Sequence, residues 1–110
     1  MALSNKFQLL NGNVNSGNTF PVTTQWDDVI MYNKYFIQLQ STGICRLDVY
    51  QSNDDTVTAD RTKSSQNTFF YESINDAIIY EDNIGCNSIS FSLTNISDQN
   101  ATVNFTIVYK

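Results

Sequence analysis

Apolar and polar residues alternate with a period of two along most of this chain, the pattern of strands with one buried and one polar face. The last segment is the clearest. Val103, Phe105, Ile107 and Tyr109 fall on one side, and Thr102, Asn104 and Thr106 on the other. Before it, Ile89, Phe91 and Leu93 alternate with Ser88, Ser90, Ser92 and Thr94. A polar stretch, residues 95–100, separates the two runs, and this spacing predicts an antiparallel hairpin. In the middle of the chain Tyr35, Ile37 and Leu39 alternate with Phe36, Gln38 and Gln40. Cys45, Leu47 and Val49 then alternate with Arg46, Asp48 and Tyr50, after the turn Ser41-Thr42-Gly43. This predicts a second hairpin, closed by a turn at Asn53-Asp54-Asp55.

The remaining segments are shorter. Residues 7–10 read as a first strand, residues 11–18 (NGNVNSGN) as a flexible loop, and residues 21–26 as an edge strand, where Pro21 is tolerated. Residues 59–66 are polar and read as a loop. Residues 68–71, with Phe69, Phe70 and Tyr71 consecutive, suit a strand buried on both faces or one lying at a contact. Residues 77–80 form a further short strand, and 83–85 turn the chain. About seven or eight short strands without a helix predict an all-β fold: a single antiparallel sandwich, jelly-roll-like, spanning residues 1–110 as one domain. Strand order stays open between a jelly roll and an immunoglobulin-like sandwich.

Composition narrows the function. Charged residues make up 15% of the chain, against roughly 25% in an ordinary domain, so Asn, Ser, Thr and Gln supply most of the polar surface. Such a surface suits a protein with close neighbours, although an AT-rich coding sequence gives the same bias. The net charge is −5, and the six Lys and Arg are scattered, so there is no basic footprint for nucleic acid or an anionic membrane. No apolar run approaches the ~20 residues of a membrane span. The opening Met-Ala-Leu-Ser-Asn-Lys is unlike a secretory leader. Synthesis in a cytosol, or exit by another route such as inside a virus particle, is therefore expected.

The residues for catalysis are sparse. The chain has no His, which removes Ser-His-Asp triads, Cys-His pairs and His metal sites. Asp27-Asp28, Asp54-Asp55 and Glu81-Asp82 are adjacent acids, and neighbours on a strand point to opposite faces, so none forms a facing carboxylate pair. The loop Gln51-Ser52-Asn53-Asp54-Asp55 has oxygen ligands but not the ordered spacing of a calcium loop. Cys45 and Cys86 read as small buried hydrophobes, with a disulfide between them as the alternative. Three glycosylation sequons begin at Asn95, Asn100 and Asn104 and are read as incidental. No catalytic residue, metal site or cofactor is expected, and the chain is read as a non-enzyme.

Aromatic residues carry more information. Trp26, Tyr32, Phe36, Tyr50 and Tyr71 do not all fit one core face, and exposed Trp and Tyr are frequent contact anchors. They are the candidate interface residues, with Trp26 beside Asp27-Asp28 preferred. Rings of this kind also stack on sugars.

The stretch Trp26-Asp27-Asp28-Val29, a following strand, and then Gly43-Ile44-Cys45-Arg46-Leu47-Asp48-Val49-Tyr50-Gln51-Ser52-Asn53-Asp54 resembles β-sandwich domains of virion proteins. These occur in phage tail and capsid proteins and in small capsid proteins of large double-stranded DNA viruses. Asn95 and the strand from Val103 to Tyr109 fit their last hairpin; Asp55 stands where such domains usually have Gly. The resemblance implies a virion structural role, as a penton, minor capsid, cement or decoration subunit, or a small spike base. Its partners would be further copies of itself and other capsid proteins. The alternative is a glycan- or receptor-binding module of a virion spike or tail.

Overall fold

The computed structural model describes residues 5–53 and 64–110. Nine strands run in chain order: β1 (Asn5–Val14), β2 (Thr19–Phe20), β3 (Asp27–Asp28), β4 (Lys34–Ser41), β5 (Cys45–Ser52), β6 (Ser65–Tyr71), β7 (Ile78–Asn83), β8 (Ser88–Asn95) and β9 (Ala101–Tyr109). They form two antiparallel sheets. Sheet A has the order β1-β9-β4-β7, and sheet B the order β2-β8-β5-β6, with β3 also paired to β8. The strand count exceeds the expected seven or eight because β2 and β3 are two-residue segments on the same edge of β8.

The inward residues are those the alternation marks. Tyr35, Ile37 and Leu39 of β4 and Val103, Phe105, Ile107 and Tyr109 of β9 line sheet A's inner face. Cys45, Leu47 and Val49 of β5 and Ile89, Phe91 and Leu93 of β8 line that of sheet B. Phe91 meets Tyr35 and Phe105 edge-on, with ring centroids 6.3 and 6.2 Å apart, which locks the two sheets at mid-core.

Both expected hairpins are corrected. β4 and β5 lie in different sheets, and so do β8 and β9. Each connection is an arch from one sheet to the other. An arch lets two consecutive apolar faces look at each other across the core, whereas a hairpin sets them side by side; the alternation is the same in both. The two arches stack on each other. Thr42 N donates to Thr102 O (3.1 Å), Thr102 N to Thr42 Oγ1 (2.9 Å), and Ile96 N to Ile44 O (3.1 Å). Gly43 is where they touch: a Cβ there would lie 2.9 Å from Ser97 Oγ and 3.2 Å from the Ala101 Cβ.

Smaller corrections follow from edge pairing. Strand β1 runs on through Asn11, Gly12 and Asn13 to Val14, because β9 supplies backbone partners whatever the side chains are; the turn comes only at Gly17, with φ of 77°. Residues 21–26 form no strand; they leave the sheet between β2 and β3, and the Phe20–Pro21 peptide is cis. Ser65 and Gln66, expected in a loop, begin β6, while residues 59–63 of the expected loop and the turn at Asp54-Asp55 lie outside the described residues. The strand expected at 77–80 is Ile78–Asn83. Cys45 and Cys86 are both free, Cys45 buried and Cys86 half-buried. No helix among the described residues is long and apolar enough to cross a membrane.

Candidate functional site

Strand alternation turns the other half of sheet A outward. In β4 these residues are Lys34, Phe36, Gln38 and Gln40; in β9, Thr102, Asn104, Thr106 and Val108; in β7, Ile79 and Glu81. Register sets them in rows. Phe36 stands between Val108 and Glu81, Gln38 between Thr106 and Ile79, and Gln40 opposite Asn104. Phe36, Gln38, Ile79, Thr106 and Val108 line a shallow depression of about 220 Å³. A second depression of about 280 Å³ adjoins along the same strands, among Asn11, Gln40, Thr102 and Asn104. Ile79 is 62% exposed, and the Lys110 ammonium sits 5.1 Å above the Phe36 ring. Among these outward residues of β4, β7 and β9 only Lys34 and Glu81 are charged, and Lys110 follows directly after β9. The face is therefore a small apolar corner continued by amides and hydroxyls.

The outer face of sheet B is different. Asp48 is 3% exposed, yet it accepts hydrogen bonds from Arg46 Nε (3.0 Å), Gln66 Nε2 (3.1 Å) and Thr68 Oγ1 (2.6 Å). Ser90 and Ser92 beside it are also buried. The Asp48 carboxylate is thus used up within the fold.

The five aromatic candidates do not form one platform. Phe36 lies on the outer face of sheet A, and Tyr50 half-buried on the outer face of sheet B, opposite Ser90 and Gln66. Tyr32 is half-buried just before β4 and stacks on Tyr109 at 5.6 Å. Trp26 is half-buried in the segment between β2 and β3; its indole N–H is buried and meets no acceptor among the described residues. Tyr71 is corrected: it is fully buried, not outward. Its position opposite Cys45 turns it inward, and there its hydroxyl donates to Asp76 O (2.6 Å), with Ser73 O at 2.8 Å, and accepts from Ser41 N (3.1 Å). It pins the turn after β6 to the core. The aromatic run it ends splits cleanly: Phe69 packs on Tyr80 at 5.0 Å, and Phe70 is 58% exposed.

Val108, Ile79, Thr106 and Asn104 were not singled out from the sequence. Their signal was their place as the polar-side partners of core residues, which shows which way they point but not which strand lies beside them.

The titratable groups do not gather. Asp27 accepts from the Tyr109 hydroxyl (2.9 Å), while Asp28 accepts from Ile30 N (3.1 Å). Asp82 is tied to Asn67 (3.0 Å), and Glu81 falls on the other face of β7. Burial, and then the Asp27 charge, pushes the Tyr109 phenol far above its ordinary range. Burial pushes the Tyr35 phenol up to about 12, with the Asp82 carboxylate adding to it. Burial also raises the Cys45 thiol, which keeps it protonated and unreactive. No group of three or more His, Cys, Asp or Glu able to hold a metal exists among the described residues.

The sequence matches no protein-family model, and no curated protein matches it. Three solved structures are similar to it at low identity. A de novo designed double-stranded β-helix has 14% identity and a TM-score of 0.42, over 99% of this chain and 100% of its own. The apo form of BiXyn10A CBM1 has 4% identity and a TM-score of 0.44, over 96% of this chain and 62% of that one. PirA has 6% identity and a TM-score of 0.44, over 99% and 94%. None of these likenesses bears on what the chain does.

Proposed function

We propose that this chain is a structural subunit of a virion: a penton, minor capsid, cement or decoration protein, made in a host cytoplasm and acting through contacts in a symmetric assembly. The observation that carries this reading is the outer face of sheet A, where the exposed Ile79 and the half-buried Phe36 and Val108 lie beside a field of amides and hydroxyls. Interfaces of this kind combine an apolar centre with a hydrogen-bonding rim. Strand order supports the finer fold. Taking β2 and β3 as one interrupted strand gives eight strands in sheets β1-β9-β4-β7 and β2/β3-β8-β5-β6, with every link except β5 to β6 crossing between sheets. That is a jelly-roll path, an architecture common in capsid domains.

The test is the mass of the purified chain in solution across a concentration series, by light scattering and sedimentation. Oligomers that fall apart in Ile79→Asp or Phe36→Asp, with unchanged thermal unfolding, are expected. A chain that stays monomeric at all concentrations and joins no virion component would sink the reading. A second reading, neutral glycan binding, is favoured by Phe36 standing in line with Gln38, Gln40 and Asn104, a ring flanked by amides. A glycan array probed with the folded chain separates the two.

A further inference from the structure

The two sides of the sandwich are closed differently. On the β6–β7 side, Asn67 Nδ2 donates to Asp82 Oδ2 (3.0 Å) and the Tyr80 hydroxyl to Phe70 O (3.3 Å), so side chains bridge the sheets. On the opposite side, between β1 and the β2/β3 edge, a recess of about 90 Å³ reaches into the core. Its walls include Leu9, Phe20, Phe91 and Phe105, and Gln25 and Asp27 stand at its mouth. Phe105 is fully buried and Phe91 is 6% exposed, so the floor is core.

The polar mouth has unused capacity. Asp27 pairs in register with the buried Ile89, which turns its carboxylate toward the inter-sheet gap. Oδ2 accepts from the Tyr109 hydroxyl, whereas Oδ1 makes no hydrogen bond among the described residues, and neither does the Gln25 side chain. Among the described side chains no cation, Lys34 included, forms an ion pair with this carboxylate: Arg46 pairs with Asp48 on another face, and Lys110 lies over Phe36. An apolar slot ending in an unanswered carboxylate suits a thin alkyl chain with a cationic head. Size agrees, since dry cavities of about 150 Å³ take up benzene, and 90 Å³ leaves room for a chain of about four carbons. Lysine has that shape: a four-carbon stem and a compact ammonium.

We infer that the recess between β1 and the β2/β3 edge receives a lysine side chain from a partner protein, the ammonium bound by Asp27 and Gln25 and the stem packed on Leu9, Phe20 and Phe91. This deepens the contact reading by naming the partner's chemistry, and it places contact at the acids beside Trp26. The probe is N-acetyl-lysine methylamide, with its norleucine counterpart as the isostere without charge, titrated into the chain and followed by NMR. Saturable shifts at Leu9, Phe20 and Phe91 are expected, with the lysine compound roughly tenfold tighter than the norleucine one. Asp27→Asn still offers an acceptor to Tyr109 and should remove that preference. Gln25→Glu, at an exposed position, should strengthen lysine binding about threefold and needs no change in the fold. Equal binding of both compounds, an unmoved Phe91, or a preference that survives Asp27→Asn overturns the inference. These results are independent of the oligomer test, which reads the outer face of sheet A.

Discussion

At the scale of single residues, the fold is held by a few buried polar side chains whose capacity is fully used. Asn95 is the chief one. Its Nδ2 donates to Val14 O (2.9 Å) and Gln99 O (2.8 Å), and its Oδ1 accepts from Ser97 N (3.0 Å) and Ser97 Oγ (2.6 Å). It thereby joins the end of β1 to the arch after β8. This commitment also removes Asn95 as a glycan acceptor, although its sequon reads like those at Asn100 and Asn104. Asn95→Leu takes this partner from Val14 O and Ser97 N, while Ser97 Oγ and Gln99 O still pair with each other; at ~1–3 kcal/mol for each buried unsatisfied group a loss of about 2–4 kcal/mol is expected, read as a lower urea midpoint. Tyr35 is the opposite case: its hydroxyl is buried without a well-formed hydrogen bond, the Asn67 amide beside it being committed to Asp82. Tyr35→Phe should therefore be neutral or stabilising in the same measurement. Tyr35 also sets a pH dependence. Its folded pKa, pushed up to about 12, lies above the ordinary value near 10. The unfolded chain then loses the proton first, so native stability from this group is complete below pH ~10 and falls as pH rises toward about 12. Tyr109 shifts the same way and extends the fall further. Urea midpoints taken between pH 9 and 11 should decline, and less steeply in Tyr35→Phe.

At the scale of elements, the sequence made the strands legible and left their partners hidden. The inward residues of β4, β5, β8 and β9 could be read directly, because a period of two with a Leu, Ile, Val or Phe at each alternate place has one explanation. Hairpin and arch give the same alternation, so Ser41-Thr42-Gly43 and residues 95–100 looked like ordinary turns. What decides between them lies far away in sequence: Gly43 must fit against Ser97 and Ala101, which belong to the other arch. The same distance hid the candidate contact face. Phe36 could be seen to point outward, but Val108 and Ile79 join it only once β9 and β7 are known to flank β4. Tyr71 failed as a contact residue because its aromatic neighbours disguised a strand with ordinary alternation. Gly43→Ala tests the stacking of the arches. The added methyl meets Ser97 Oγ, which cannot swing away freely because it donates to Asn95 Oδ1 and lies 2.8 Å from Gln99 O. A loss of about 1–3 kcal/mol in urea unfolding is expected. If the links were hairpins, the same change would cost little.

At the scale of the whole molecule, chain order and sheet order are badly mismatched, and this should govern how the protein folds. Strand β9 is the last to be made, yet it lies inside sheet A between β1 and β4. Its register with β1 pairs Asn5 with Tyr109, almost the full length of the chain apart. Non-local pairing of this kind brings a large loop-closure cost before any contact rewards it, so folding in the millisecond-to-second range is expected in stopped-flow experiments. Energetics sharpen the point. Val103, Phe105, Ile107 and Tyr109 are all buried, and at ~1.5–3 kcal/mol for each large apolar side chain they amount to roughly 6–12 kcal/mol. That is comparable with the ~5–15 kcal/mol by which a whole domain of this kind is stable. A chain ended at Asn100 should accordingly have no cooperative unfolding transition and should be digested by protease along its length, because β1 then has no partner, β4 loses its central neighbour, and Phe91 keeps only Tyr35 across the core. Removing residues 1–14 instead takes away one edge strand and leaves β4, β5, β8 and β9 in place, so a weakened but still cooperative transition is expected. Equal protease resistance of the two truncated chains would mean that β9 does not hold the sandwich together as its central position requires.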